Sequence, residues 1–112
     1  MENEIAEYFE NEVFPKKKKE LEDRGMYFKD ICNDHRRLEI REYYIEKDIS
    51  WLTDKLKGWK GLHGIGACWS TMEENDSVTS SISYTIFSDP EMTAEKYGKY
   101  KRNHWQIENS LH

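Results

Sequence analysis

The sequence has no uninterrupted apolar run of the ~20 residues that a membrane-spanning helix requires, and no charged, apolar and small-residue series of the secretion type opens it. A cytoplasmic protein, away from any membrane, is the expectation from these two absences. Cysteine is scarce. Cys32 and Cys68 show neither a Cys-x-x-Cys spacing nor a second pair, so no disulfide framework or zinc knuckle is indicated, and they read as small packing residues or incidental thiols. Apolar residues are also in short supply, 37% against 35% charged in 112 residues. A domain of this size already buries a reduced share of its surface, so the core should be thin and folding partial or partner-dependent. No internal repeat, low-complexity linker or second domain is visible, which leaves residues 1–112 as one unit.

Against these absences stand four Trp, seven Tyr and four Phe, which argue that something packs despite a mean hydropathy of -0.99. The formal net charge of -5 excludes an all-over DNA-binding surface. Charge is unevenly placed, however. Residues 1–14 hold five Glu and no base, whereas residues 96–104 hold three Lys and one Arg and no acid. A local basic patch can hold phosphate on an acidic protein, because screening confines an exposed charge to about 8 to 10 Å at ordinary salt.

Ile5, Tyr8, Phe9 and Val13 recur with the rhythm of an amphipathic helix, which Pro15 should end or bend. Lys16 to Lys19 with Glu20, Glu22 and Asp23 read as a solvated helical turn with i, i+4 charge pairs, running to Gly25. Residues 36–46, 62–71 and 79–87 alternate as half-buried strands. Gly64 and Gly66 share one side of the second strand and mark a bulge or a close backbone approach. The polar stretch Glu73 to Ser77 has hairpin length and makes the last two strands antiparallel neighbours. Asp48 to Leu56 fit a short helix buried through Trp51, Leu52 and Leu56 and closed by Gly58. A final helix is expected from about residue 90, with Asp89 as N-cap, Pro90 in the first turn and Ser88 with Glu91 at capping-box spacing. Gly98 inside it costs roughly 1 kcal/mol relative to Ala and marks either a close contact or a weak point.

Near the end of that helix His104, Glu108 and His112 fall at i, i+4 and i+8, on nearly one helical face. Tyr97, Lys99, Tyr100, Lys101 and Arg102 precede them and combine positive charge with flat rings, which suits a nucleic-acid backbone. Imidazoles at i, i+4 also suit zinc or nickel, but no fourth ligand is evident.

The series Arg102-x-His104-Trp105-x-Ile107-Glu108-Asn109-x-Leu111-His112 resembles the closing signature of bacterial insertion-sequence transposases of the H-repeat-associated type, enzymes with a ribonuclease-H-like fold and an Asp-Asp-Glu (DDE) centre. Asp34-His35-Arg36-Arg37-Leu38-Glu39-Ile40-Arg41-Glu42-Tyr43-Tyr44 is similar to a further family strand, with Arg36 where Gly is usual. Trp59-Lys60-Gly61-Leu62-x-Gly64-Ile65-Gly66 and Tyr84-Thr85-Ile86-Phe87-Ser88 are similar to two more segments, and the matches keep their order along the chain.

The resemblance implies DNA strand transfer with Mg²⁺ or Mn²⁺, in which Glu108 is the catalytic glutamate and a metal ligand. Lys99, Lys101 and Arg102 are the candidates for DNA phosphate contacts, and DNA and an intact transposase are the implied partners. The family's two aspartates lie upstream of the matching segment, so the expected protein is a truncated, catalytically incompetent piece that holds no stable metal. The alternative is a small interaction module that regulates an intact transposase or binds element-end DNA. The expected fold is α+β, with an N-terminal helix, a three-stranded antiparallel sheet and a C-terminal helix, forming part of a ribonuclease-H-like domain. Residues 1–112 are then a single partial domain.

Overall fold

The computed structural model describes residues 2–34, 36–47 and 63–101. Helical turns α1 (Glu2–Tyr8), a wider π-type segment (Phe9–Lys17) and α2 (Lys18–Asp23) follow one another, and strands β1 (Tyr27–Asp34), β2 (Arg37–Glu46), β3 (Gly64–Glu74) and β4 (Ser77–Phe87) come next. Residues 94–101 form helix α3. The strands make an antiparallel meander in the order β1-β2-β3-β4.

The expected three-stranded sheet is therefore corrected to four strands. The extra strand is β1, and its sequence explains why periodicity did not disclose it. Tyr-Phe-Lys-Asp-Ile-Cys-Asn-Asp lies at the edge of the sheet with most of its distal residues exposed, so no buried face imposes an alternation on it. The described ladder contains only antiparallel pairs, and the ribonuclease-H-like assignment draws no support from it. The short helix expected over Asp48 to Leu56 lies outside the described residues.

Of the two outcomes expected at Pro15, an end or a bend of the helix, an end does not occur. The chain passes through it within the π-type segment. In an α-helix the Pro15 ring would meet the carbonyl of Asn11, four residues earlier, and a wider turn relieves that clash. Ile5, Phe9 and Val13 are buried as the periodicity required, and Leu21 joins them. Helix α2 stops at Gly25, whose φ of 73° is open to glycine. The Met26 N–H donates to the Leu21 carbonyl (2.7 Å) and the Gly25 N–H to the Glu22 carbonyl (3.2 Å), the two bonds of a Schellman motif.

Among the described residues the sheet is covered on both faces, but only along one end. On one face the N-terminal helices pack on Tyr44, Ala67 and Ile65, flanked by Tyr27, Trp69, Ile82 and Tyr84. On the other, Ala94 and Tyr97 of α3 pack on Tyr43, Ile45, Cys68 and Phe87. β2 and β3 are the inner strands, so Tyr43 through Glu46 are all buried whichever way they point. Close approach of α3 depends on two glycines. A Cβ on Gly66 would lie 2.6 Å from Phe87 Cε2 and 3.1 Å from Tyr97 Cε2, and one on Gly98 would lie 3.1 Å from Tyr43 Cε2. Of the alternatives left open at these glycines, a bulge or a close approach at Gly66 and a close contact or a weak point at Gly98, the close approach is the one seen at each.

At the other end the strands extend beyond the described part of both helical layers. There β3 and β4 are joined by a two-residue turn, Asn75 and Asp76, with φ of 51° and 66°. Asn and Asp tolerate this left-handed region better than other non-glycine residues. Among the described residues, no helix is long and apolar enough to cross a membrane.

Candidate nucleic-acid interface

Helix α3 carries those basic residues of the proposed interface that are described. Its start differs from the sequence expectation. Asp89 Oδ1 accepts from the Glu91 N–H at 2.9 Å, but this closes an isolated turn rather than a helix. The helix begins at Ala94, where Thr93 Oγ1 accepts from the Lys96 N–H at 3.3 Å and acts as the N-cap. Asp89 and Pro90 are the stronger N-terminal signal, yet the chain has to turn back over the sheet first. The Lys47 Nζ donates to the Pro90 carbonyl at 2.7 Å and the Ala94 N–H to the Gly25 carbonyl at 3.3 Å, which tie that turn down.

From this start, α3 directs Ala94, Tyr97 and Gly98 inward and leaves Lys96, Lys99 and Tyr100 exposed. Tyr97 is thus a core residue and not part of an aromatic surface for nucleic acid. Its ring meets those of Tyr43 and Phe87 edge-on at 5.4 and 4.9 Å, and its hydroxyl donates to Thr85 Oγ1 at 3.4 Å. Burial pushes its pKa well above the ordinary phenol value, so it stays neutral.

Lys99 lines a small cleft with Phe28, Asp30, Glu95 and Gly98, two of which are acidic. Lys101 is half-buried and lies near Cys68, where it pulls the thiol's pKa down against the larger upward push of burial. Lys99 and Lys101 therefore sit along the same short helix, with the first the more accessible. Arg102, His104, Trp105, Glu108 and His112 lie outside the described residues. Among the described residues no three His, Cys, Asp or Glu side chains gather as a metal site.

Beyond α3, the same face carries a charged row. Arg41 Nε and Glu39 Oε1 are 2.7 Å apart, and Arg37 Nη2 approaches Glu39 Oε2 at 3.8 Å. With Cys32 and Asp34 they border a shallow hollow. The arginines of this stretch are strand-surface charges tied to acids, which leaves little unbalanced positive potential for phosphate. The Tyr43 hydroxyl is buried beside this row without a well-formed hydrogen bond among the described residues. Burial raises its pKa, and the Arg41 guanidinium offsets part of the rise.

One polar cluster escaped the sequence reading. Glu46 is 3% exposed, accepts from Tyr8 OH at 3.1 Å and pairs with Lys17 Nζ at 3.3 Å, while Lys17 also donates to Tyr8 OH at 2.8 Å. Lys17 had been read as part of a solvated face with i, i+4 partners. Instead Lys17 and Lys18 reach across to Glu46 and Glu42 of β2, and the helical pairs that do form are Glu12–Lys16 and Glu20–Arg24. The partners are dozens of residues apart, and no local spacing signals them. The Lys17 pKa is raised, chiefly by its bond to Tyr8, so the cluster fastens the helical layer to the sheet and supplies no base near neutral pH.

Comparison with known proteins adds a lineage. Over 82 residues the chain is 34% identical to the H repeat-associated putative transposase YhhI of Escherichia coli K12, and equally to the Putative protein YbfL of the same organism. Each match takes in 70% of this chain and 21% of the relative, so the chain spans about a fifth of the length of the curated relatives it matches. No family model matches, and no solved structure does. The chain is transposase-related.

Proposed function

We propose that this chain is the Glu-bearing segment of a DDE transposase catalytic region, a part of the machinery of DNA transposition and recombination. The observation that carries the reading is the 34% identity to a transposase-named protein over most of this chain. A helix that follows the sheet and displays Lys99 supports it. In this reading Glu108 is a metal ligand, and Lys99, Lys101 and Arg102 hold DNA phosphates.

The chemistry requires more than one acid. A phosphodiester resists a weak nucleophile, and two divalent ions about 3.5–4 Å apart activate the attacking oxygen and stabilise the leaving one. Mg²⁺ or Mn²⁺ prefers carboxylate oxygens, and a single Glu fills one or two positions of an octahedral shell, leaving the ion hydrated and weakly held. The chain alone is therefore expected to leave DNA uncut. Incubation with labelled supercoiled and oligonucleotide DNA in Mg²⁺ or Mn²⁺ checks this, and cleavage abolished in Glu108→Gln would overturn it. Phosphate contact is checked separately by titrating DNA at several salt concentrations. Each of Lys99→Ala, Lys101→Ala and Arg102→Ala should reduce the salt slope by about 1 if the residue meets a phosphate. An unchanged slope in all three removes the DNA-contact assignment.

A second reading, a small module that regulates an intact transposase, is favoured by apolar side chains that are exposed among the described residues, Ile31 and Val78. Retention of a purified full-length transposase by this chain would support it.

A further inference from the structure

The two outer strands of the sheet are built differently. β1 is eight residues long and carries Lys29, Asp30 and Asp34, the charges by which proteins commonly keep a sheet edge from pairing. β4 is eleven residues long, from Ser77 to Phe87, and contains no charged residue, no proline and no glycine. It is a regular ladder with β3 over its whole length, and among the described residues no strand pairs its outer side. An unguarded edge of this length is a template for another strand.

From this asymmetry we infer that β4 is a homodimerisation edge, pairing antiparallel with β4 of a second copy about a two-fold axis at Ile82. The inference is independent of the transposase reading. In a two-residue hairpin the Glu74–Ser77 pair closes the turn, so Ser77, Thr79 and the other odd-numbered residues of β4 bond to β3. The N–H and C=O groups of Val78, Ser80, Ile82, Tyr84 and Ile86 then point outward. When the strand pairs end to end with itself, Ile82 opposes Ile82, Ser80 opposes Tyr84 and Val78 opposes Ile86. Outward groups meet outward groups, giving about ten backbone hydrogen bonds.

The same register keeps the faces aligned. Val78, Ile82 and Ile86 lie on the side of the sheet that receives the N-terminal helices, and Val78, 63% exposed in one chain, would be set beside Ile86 of the other. Glu73, Glu74 and Asp76 gather at the hairpin end. Antiparallel pairing places the two acidic ends at opposite extremes of the joint, whereas parallel pairing would bring them together. Asp76 comes level with Ser88, and the neighbouring Asp89 is engaged with the Glu91 amide. The charges on β1 disfavour a β1–β4 joint, which would be head-to-tail and would propagate into filaments. A joint of one strand pair is small, so the dimer should form at micromolar rather than nanomolar concentration.

Sedimentation of the full chain across a concentration series tests the proposal, with amide exchange read residue by residue. A species of about twice 13.5 kDa should appear as concentration rises, with slowed exchange at Val78, Ser80, Ile82, Tyr84 and Ile86. Ser80→Pro removes one outward N–H at an exposed edge position without touching the bonds to β3. It should abolish the dimer and leave the circular-dichroism spectrum unchanged. A monomer at all concentrations, a dimer whose five outward amides exchange freely, or higher polymers would each overturn the proposal. If Ser80→Pro does not fold, exchange in the unaltered chain decides.

Discussion

Glu46 shows how a single charge is kept inside a thin protein. Its carboxylate is almost wholly removed from water, and an ion so placed must be paired and hydrogen-bonded. Lys17 and Tyr8 supply both needs from the helical layer. Truncation of Lys17 to Ala leaves the carboxylate with one partner fewer. Because Lys17 is itself partly exposed, the cost should be about 1–3 kcal/mol, below that of a fully enclosed pair. Urea unfolding at neutral pH measures it, and a loss under about 0.5 kcal/mol would mean that water already screens the pair.

At the scale of elements, the β3–β4 hairpin is held by two non-glycine residues in the left-handed region, Asn75 and Asp76. Asn-Gly is the preferred pair for such a turn, since glycine adopts positive φ without a steric cost. Replacing Asp76 by Gly should stabilise the protein by about 0.5–1 kcal/mol, seen as a higher melting temperature; a fall would show that the Asp76 side chain holds the turn. How much of each element the sequence disclosed follows from burial. β3 and β4 were legible because apolar side chains recur at every second position where they meet the helical layer, Ile65, Ala67 and Trp69 in one and Ile82, Tyr84 and Ile86 in the other. β1 was not, because its distal half, Ile31 to Asp34, is exposed and no buried face imposes an alternation there. The start of α3 was misplaced by four residues because Asp89 and Thr93 are both competent caps, and the bonds from Lys47 and Ala94 choose between them.

For the whole molecule, the two hydrophobic clusters meet through one sheet, and both rest on neutral phenols. Tyr43, Tyr44 and Tyr97 are buried, and burial raises the pKa of each above the ordinary value near 10. An unfolded chain ionises its tyrosines from about pH 10 while the folded chain keeps these three protonated, so the folded state binds more protons there. Stability is unaffected below that pH and declines above it, by up to about 1.4 kcal/mol per pH unit for each buried phenol. Lys17, whose pKa is also raised, adds a loss of the same sign above its unfolded value. Urea midpoints at pH 8, 10 and 11 should be flat and then fall steeply; an unchanged midpoint at pH 11 would show that the phenols are not enclosed.

What the sequence determined by itself is whatever depends on neighbours along the chain. This includes the helical rhythm of Ile5, Phe9 and Val13, the alternation of β3 and β4, and the turn between them. Tertiary structure alone decided the fourth strand, the continuation of the helix past Pro15, the burial of Tyr97 and the Lys17–Tyr8–Glu46 tie. Each of those four depends on a surface brought up from elsewhere in the chain. A ladder partner, a sheet face or a distant counter-charge lowers the free energy of a conformation that local spacing leaves undecided.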